Sequence, residues 1–295
     1  MNLEKIFTDF LKQEKLVGEK LLLAVSGGID SSVLLEIASH SVDINNLAVF
    51  HLNHGTRKNS VKDSKFVQKM CSTKGIKFYG EKLTKTPTKN KEEFWRDQRK
   101  KLAQKTAKNF RADRIITAHH ATDLVETMLF RLVKGCGVTG LSPFNISTKP
   151  FWQIPRSEIE KYAKEKKLKF VTDPSNDDIN LERNLIRHKV LPQLRNITPN
   201  LEKVFVSESK IFSEVGSFLA KSITSYAKSP LPLKDFLVLS PILQTELLRL
   251  ISTKTPSSSE IRDLLKWLRN DPKGNSIKSV GRTKIQLKNK KLYWE

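Results

Sequence analysis

The stretch LLLAVSGGIDSSVLLEIA, at 21–38, constrains this chain more than any other. An apolar run ends in Ser26-Gly27-Gly28-Ile29-Asp30-Ser31, and apolar residues at helical spacing resume at once. A strand must therefore hand over to a helix through a glycine corner. Three further short apolar runs follow, LAVFHL from Leu47, IKFY from Ile76 and RIITA from Arg114. Segments with apolar residues three and four apart lie around them, at 32–39, 62–73, 91–109 and 123–134. That alternation predicts an α/β fold with a Rossmann-like, doubly wound parallel sheet over the first 140 residues. Folds of this kind bind ligands at the carboxyl ends of their strands, where the polar motifs of this chain fall.

The corner itself suits an anion. Unpaired backbone N–H groups, the positive end of a helix dipole and two small hydroxyls, Ser26 and Ser31, converge on one point. Gly27 and Gly28 allow backbone to approach without a Cβ in the way. An ordinary strand-to-helix turn would also take small residues, but not the combination of glycines, flanking serines and an acid. The G-x-x-x-x-G-K-[ST] and G-x-G-x-x-G patterns are both absent. An acid in an anion cradle makes sense where Mg²⁺ accompanies phosphates, which makes Asp30 a candidate metal ligand.

Two later strand ends carry polar clusters. HLNHGTR gathers His51, Asn53, His54 and Arg57, and without a third metal-type ligand nearby this is no zinc site. TAHHATDLVETMLF places Asp123 and Glu126 one helical turn apart, on a face away from Leu124, Met128 and Leu129. Acids in a first turn also complement the helix dipole, but His119 and His120 immediately before them favour a cleft. Arg96 and Arg99, within EEFWRDQRKKL, read either as cleft cations or as a solvated basic face.

Lys plus Arg is 53 against 31 Asp plus Glu, a formal charge of +22, which draws polyanions over long range. The excess is patchy, with ten cations against three acids at 82–108 and seven against one at 273–295, so nucleic acid is the expected partner. Cys71 and Cys136 are the only cysteines and sit in no paired motif, which suits a reducing cytoplasm. No apolar run reaches the roughly 20 residues of a membrane span, and the amino terminus does not read as an export signal.

After Pro150 the texture turns helical, and Pro199-Asn200 marks a boundary between a domain at 1–200 and a smaller one at 201–295. In the latter, Ser257 and Glu260 form a capping box for a helix at 258–269, and a basic strand pair turns at Gly281 and Asn289.

SGGIDSS resembles the pyrophosphate loop of the N-type ATP pyrophosphatases. HLNHGTR, TAHHATDLVET, KGCGVTGL and DPSNDDINLERNLIRHKVLP together resemble the tRNA(Ile)-lysidine synthetases over about the first 200 residues. The resemblance implies ATP and Mg²⁺, free L-lysine, and the isoleucine tRNA with a CAU anticodon, whose wobble cytidine would be adenylated at O2 and then attacked by the lysine ε-amine. It implies ATP contacts from Ser26, Gly27, Gly28, Ile29, Asp30, Ser31, His51, Asn53, His54, Arg57 and His119, and catalytic roles for Asp30, Arg96, Asp123 and Glu126. Asp123 and Glu126 would hold lysine, and Arg99, Asn176, Arg183, Arg187, Lys284 and Lys288 would meet tRNA, the last two from a carboxyl-terminal tRNA-binding domain. The chain departs from that pattern at Thr122, where the family has Asp, and at Lys134-Gly135-Cys136-Gly137, where it has Arg-Gly-Ser-Gly. A tRNA-thiolating enzyme with the same loop and a non-catalytic nucleotide-dependent RNA binder are the rival readings. Oligomeric state is not legible, and a homodimer stays open.

Overall fold

The computed structural model describes the chain except residues 54, 56–59, 84–90, 173–177, 255 and 271–274, and except the side chains of 91–93. It divides into two compact units, Met1–Glu126 with Phe144–Val206, and Thr127–Pro143 with Ser207–Glu295.

The first unit opens with α1 (Leu3–Gln13) and alternates strand and helix. The order is β1 (Leu21–Ala24), α2 (Ile29–Ser41), β2 (Leu47–Asn53), α3 (Ser60–Thr73), β3 (Lys77–Lys82), α4 (Lys91–Phe110), β4 (Arg114–Thr117) and α5 (Ala121–Lys134). The strands pair in parallel in the order β3-β2-β1-β4, with Leu21 in register with both Leu47 and Arg114. Strands buried on both faces need continuous apolar sequence, and residues 21–23 and 47–50 supply it. Alternation divides their side chains between two layers. Leu21, Leu23, Leu47 and Val49 face a core with Phe7, Leu34 and Phe151, while Leu22, Ala48 and Phe50 face Ala103 and Ala107 of α4. The chain leaves β1 for β2 on one side and reaches β4 on the other, so strand order reverses at β1 and opens a crevice between the carboxyl ends of β1 and β4. Helices α6 (Arg156–Glu165), α7 (Glu182–Leu185) and α8 (Leu191–Ile197) follow, and α9 (Leu201–Ile223) begins in this unit.

The second unit contains β5 (Leu231–Pro232), α10 (Leu233–Val238), α11 (Pro241–Ile251), α12 (Ser258–Arg269), β6 (Ser276–Val280), β7 (Thr283–Lys288) and β8 (Lys291–Trp294). The Ser257–Glu260 capping box opens α12. The strands form an antiparallel sheet, β5-β8-β7-β6. Its hairpins turn at Gly281-Arg282 and Asn289-Lys290, where all four residues have positive φ, the geometry that matches the strand twist. Packing cuts the chain inside α5 and inside α9, so 127–143 groups with the second unit, a partition different from the single boundary read at 200.

Candidate active site

The corner after β1 is built from backbone and hydroxyls. Gly27 has φ +93°, and a Cβ there would lie 3.0 Å from Val67 Cγ2, so the position admits only glycine without strain. Ser31 Oγ accepts from the Ser26 and Gly27 amides at 3.2 and 3.1 Å and donates to Gly28 O at 3.0 Å. The Gly28 amide donates to Ser26 Oγ at 3.3 Å. Hydroxyl oxygens thus stand where anion oxygens would sit. Gly28 caps α2 with no side-chain hydrogen bond, which leaves the first-turn N–H groups from Ile29 onward pointing into the crevice.

Across the crevice, α5 starts with a reciprocal cap. The His120 amide donates to Asp123 Oδ2 at 3.1 Å, and the Asp123 amide donates to His120 Nδ1 at 3.3 Å. Nδ1 is therefore the acceptor, and a neutral His120 carries its proton on Nε2. That nitrogen lies 3.5 Å from Asp30 Oδ1 and 3.5 Å from Asp123 Oδ2, so one buried imidazole joins the glycine corner to the acids of α5. Burial would raise the Asp123 pKa, but His120, His119 and Arg187 hold it below the ordinary carboxylate value. Burial does raise that of Asp30, whose Oδ1 is inaccessible and makes no hydrogen bond. A buried carboxylate oxygen of this kind fits a cation, and a hard divalent ion takes most of its shell from phosphate and water. Among the described residues no cluster of three His, Cys, Asp or Glu could hold a metal alone.

Glu126 lies deeper. Arg187 Nε and Nη2 donate to its two oxygens at 2.6 and 2.8 Å, and Nη2 also lies 3.5 Å from Asp123 Oδ1. Arg187 sits in a short π-helical stretch, Ile186–Val190, and such widened turns recur at functional sites. Arg187, read from sequence as a tRNA contact, thus stands against the acid pair. Arg183 and the neighbouring pair Arg96 and Arg99 are exposed, as are Lys284 and Lys288 on the outer face of β7. His51 and Asn53 are buried: His51 Nδ1 donates to Val25 O at 2.9 Å, and Asn53 bonds Ser60 O at 2.9 Å and the Gly55 amide at 2.8 Å. Both side chains hold backbone in place. His54, Arg57 and Asn176 lie outside the described residues.

Thr122 is buried and donates to Glu202 Oε1 at 3.1 Å, with Arg195 on the same oxygen. Cys136 is half-buried and burial pushes its thiol pKa up, which makes it a packing residue. In the second unit, Gly137 lies so close to Arg249 that a Cβ would fall 1.2 Å from Nη1. Sequence reasoning named His120 only as a sign of the cleft, without its linking role, and missed Arg195 and Glu202. Only His120 left a trace, since it stands at the cap position three residues before an acid.

Residues 1–194 match the PP-loop domain family, and the chain belongs to that family. It is 32% identical over 222 residues to a tRNA(Ile)-lysidine synthase of Thermotoga sp. strain RQ2, covering 72% of this chain and 54% of that one. It is 29% identical over 297 residues to a tRNA(Ile)-lysidine synthase of Persephonella marina, covering 93% of this chain and 66% of that one. The chain spans about half the length of the first of these relatives. A U34-tRNA thiolase of Methanococcus maripaludis, carrying a 4Fe-4S cluster, shares the fold with TM-score 0.61 at 18% identity over 72% of this chain and 78% of that one.

Proposed function

We propose that the chain is a lysidine-forming ligase acting on the isoleucine tRNA with a CAU anticodon. The observation that carries this reading is the meeting of the phosphate corner and the acid pair on His120, 3.5 Å from Asp30 and 3.5 Å from Asp123. Such closeness would bring a nucleotide and an amine to one reacting atom. The cytidine O2 attacks the α-phosphorus of ATP and pyrophosphate leaves. The ε-amine of lysine then attacks C2, the C2–O bond breaks, AMP departs, and the amine loses its proton. The amides of the corner hold the β and γ phosphates, displacing the Ser26 and Ser31 hydroxyls. Asp30 would hold Mg²⁺, which when bound would neutralise charge on the leaving pyrophosphate. Asp123, more open than Glu126 at 22% against 6% side-chain exposure, holds the lysine ammonium and takes its proton. Glu126, paired through both oxygens with Arg187, holds that guanidinium against Asp123 and so positions the acid that meets lysine.

RNA contacts fall to exposed cations. Arg262, Lys266 and Arg269 share one flank of α12 while Glu260 and Asp263 lie on the other, and the cationic flank lines a concavity of about 230 Å³ with Leu265 and Asn270. These three, and the exposed Lys284 and Lys288 of β7, would each take phosphate contacts. Unpaired cysteines and a tRNA substrate favour a cytoplasmic location, and no described helix is long and apolar enough to cross a membrane. Sulfur transfer is the poorer reading. The chain has two cysteines, too few to ligate an iron–sulfur cluster, and burial pushes the Cys71 thiol up to about 12.

The test is release of pyrophosphate and of AMP with ATP, this tRNA and lysine, each omitted in turn. Release of AMP should require all three, and Asp123→Asn should lower the rate at least about 100-fold, within the range of a general base. Unchanged lysine-dependent turnover in that variant would remove Asp123 from the chemistry.

A further inference from the structure

The lip of the crevice beside β4 carries an aromatic pair, His119 and Phe144, for which the resemblance implies only an unspecified ATP contact from His119 and no task for Phe144. His119 lies two residues beyond the end of β4 and is exposed. It is nevertheless held: Nδ1 pairs with Thr117 Oγ1 at 2.9 Å, and Phe144 meets the ring edge-on, with centroids 5.6 Å apart and planes at 62°. Phe144 is fixed in turn. Lys149 Nζ lies 5.3 Å from its centroid and bonds Asn145 O at 3.3 Å and Thr148 Oγ1 at 3.2 Å. Arg114 Nη1 ties the same loop to β4 by donating to Ser147 Oγ at 2.9 Å.

An exposed ring braced on two sides has given up rotamer freedom without the return that burial brings. Such a ring is ready to be covered by something flat. His51 and His120, the other described imidazoles near the corner, are both buried, His51 with its ring stacked on Phe78 at 6.3 Å, so neither offers an open face. Desolvation by the crevice walls lowers the His119 pKa to about 4, with Lys149, His120 and Arg99 adding to the effect and Asp123 opposing it. At neutral pH the ring carries no charge and is useful for its π face.

We infer that His119, braced by Phe144, is a stacking face for a nucleobase at the β4 lip, taking either the RNA base to be modified or the adenine of ATP. Its RNA arm rests on the function proposed above. Stacking tolerates any planar heteroaromatic base, so both sources share the chemistry. Steady-state pyrophosphate release is measured for His119→Ala, His119→Phe and Phe144→Leu with ATP and tRNA varied separately. Loss of one stacked base should raise one KM about 5- to 100-fold in His119→Ala. A rise for tRNA assigns the face to the RNA base, and a rise for ATP assigns it to adenine. His119→Phe should stay within about threefold of the parent, because a phenyl ring still stacks. A His119→Phe variant as impaired as His119→Ala would show a proton or hydrogen-bond role and overturn the inference, as would two unmoved KM values. Binding is read without turnover from the added indole of His119→Trp, titrated with ATP and with a CAU isoleucine tRNA transcript. Saturable quenching by either supports the stacking face even if the parent makes no lysidine, in which case the proposed function alone falls. No quenching by either sinks the stacking face.

Discussion

Asp30, in the first turn of α2 and facing His120 across the crevice, is costly where it stands. Its Oδ1 is buried without a hydrogen bond, and burial raises its pKa, so the folded protein carries an under-compensated carboxylate until a cation arrives. Asp30→Asn should therefore raise the Tm of the nucleotide-free protein by about 2–4 °C, equivalent to roughly 1 kcal/mol in a unit of this size, while abolishing Mg²⁺-dependent turnover. Differential scanning calorimetry decides it, and a fall in Tm would mean that the carboxylate is stabilising. Glu202 behaves in the opposite sense. Burial acts to raise its pKa, but Arg195 and Thr122 prevail and hold it below the ordinary value. A depressed folded pKa contributes stability above the unfolded pKa, and that contribution is lost as pH falls through the folded value. Thermal melts from about pH 6 to about pH 3, across and below the ordinary glutamate value of about 4.3, should thus show a shallower acid decline in Glu202→Gln than in the parent.

The elements were legible where local chemistry dictates them. Residues 21–23 and 47–50 are apolar because both sheet faces are covered, and the Ser257–Glu260 box is a cap written in two residues. The corner was legible for the same reason, since Gly27 must occupy φ +93°. Gly27→Ala would incur about 1–2 kcal/mol of left-handed strain and press on Val67. It should raise the KM for ATP about tenfold or more, measured by pyrophosphate release, whereas an unaltered KM would detach the corner from nucleotide binding. Long-range pairings were not legible. Glu126 and Arg187 are 61 residues apart, and nothing in either segment names the other. The strand β5 escaped notice because two residues with a proline carry almost no strand signal until β8 is beside them.

At the scale of the whole molecule, a formal charge of +22 makes salt the natural probe of RNA binding. Replacing Arg262, Lys266 and Arg269 by Gln should reduce the slope of log affinity against log salt by about two to three, one counterion-release increment per lost phosphate contact. Filter binding measures it, with replacement of the exposed Lys12, Lys15 and Lys69 by Gln as a control of equal charge. Equal losses in the two variants would leave only bulk attraction. The proposed activity leaves one diagnostic product. Mass spectrometry of the CAU isoleucine tRNA, after incubation with the purified protein, ATP, Mg²⁺ and lysine, should show the wobble cytidine heavier by one lysine less one water, and only when ATP and lysine are both present. An unmodified cytidine under those conditions, or one in which sulfur has replaced oxygen when sulfide is supplied, would contradict it.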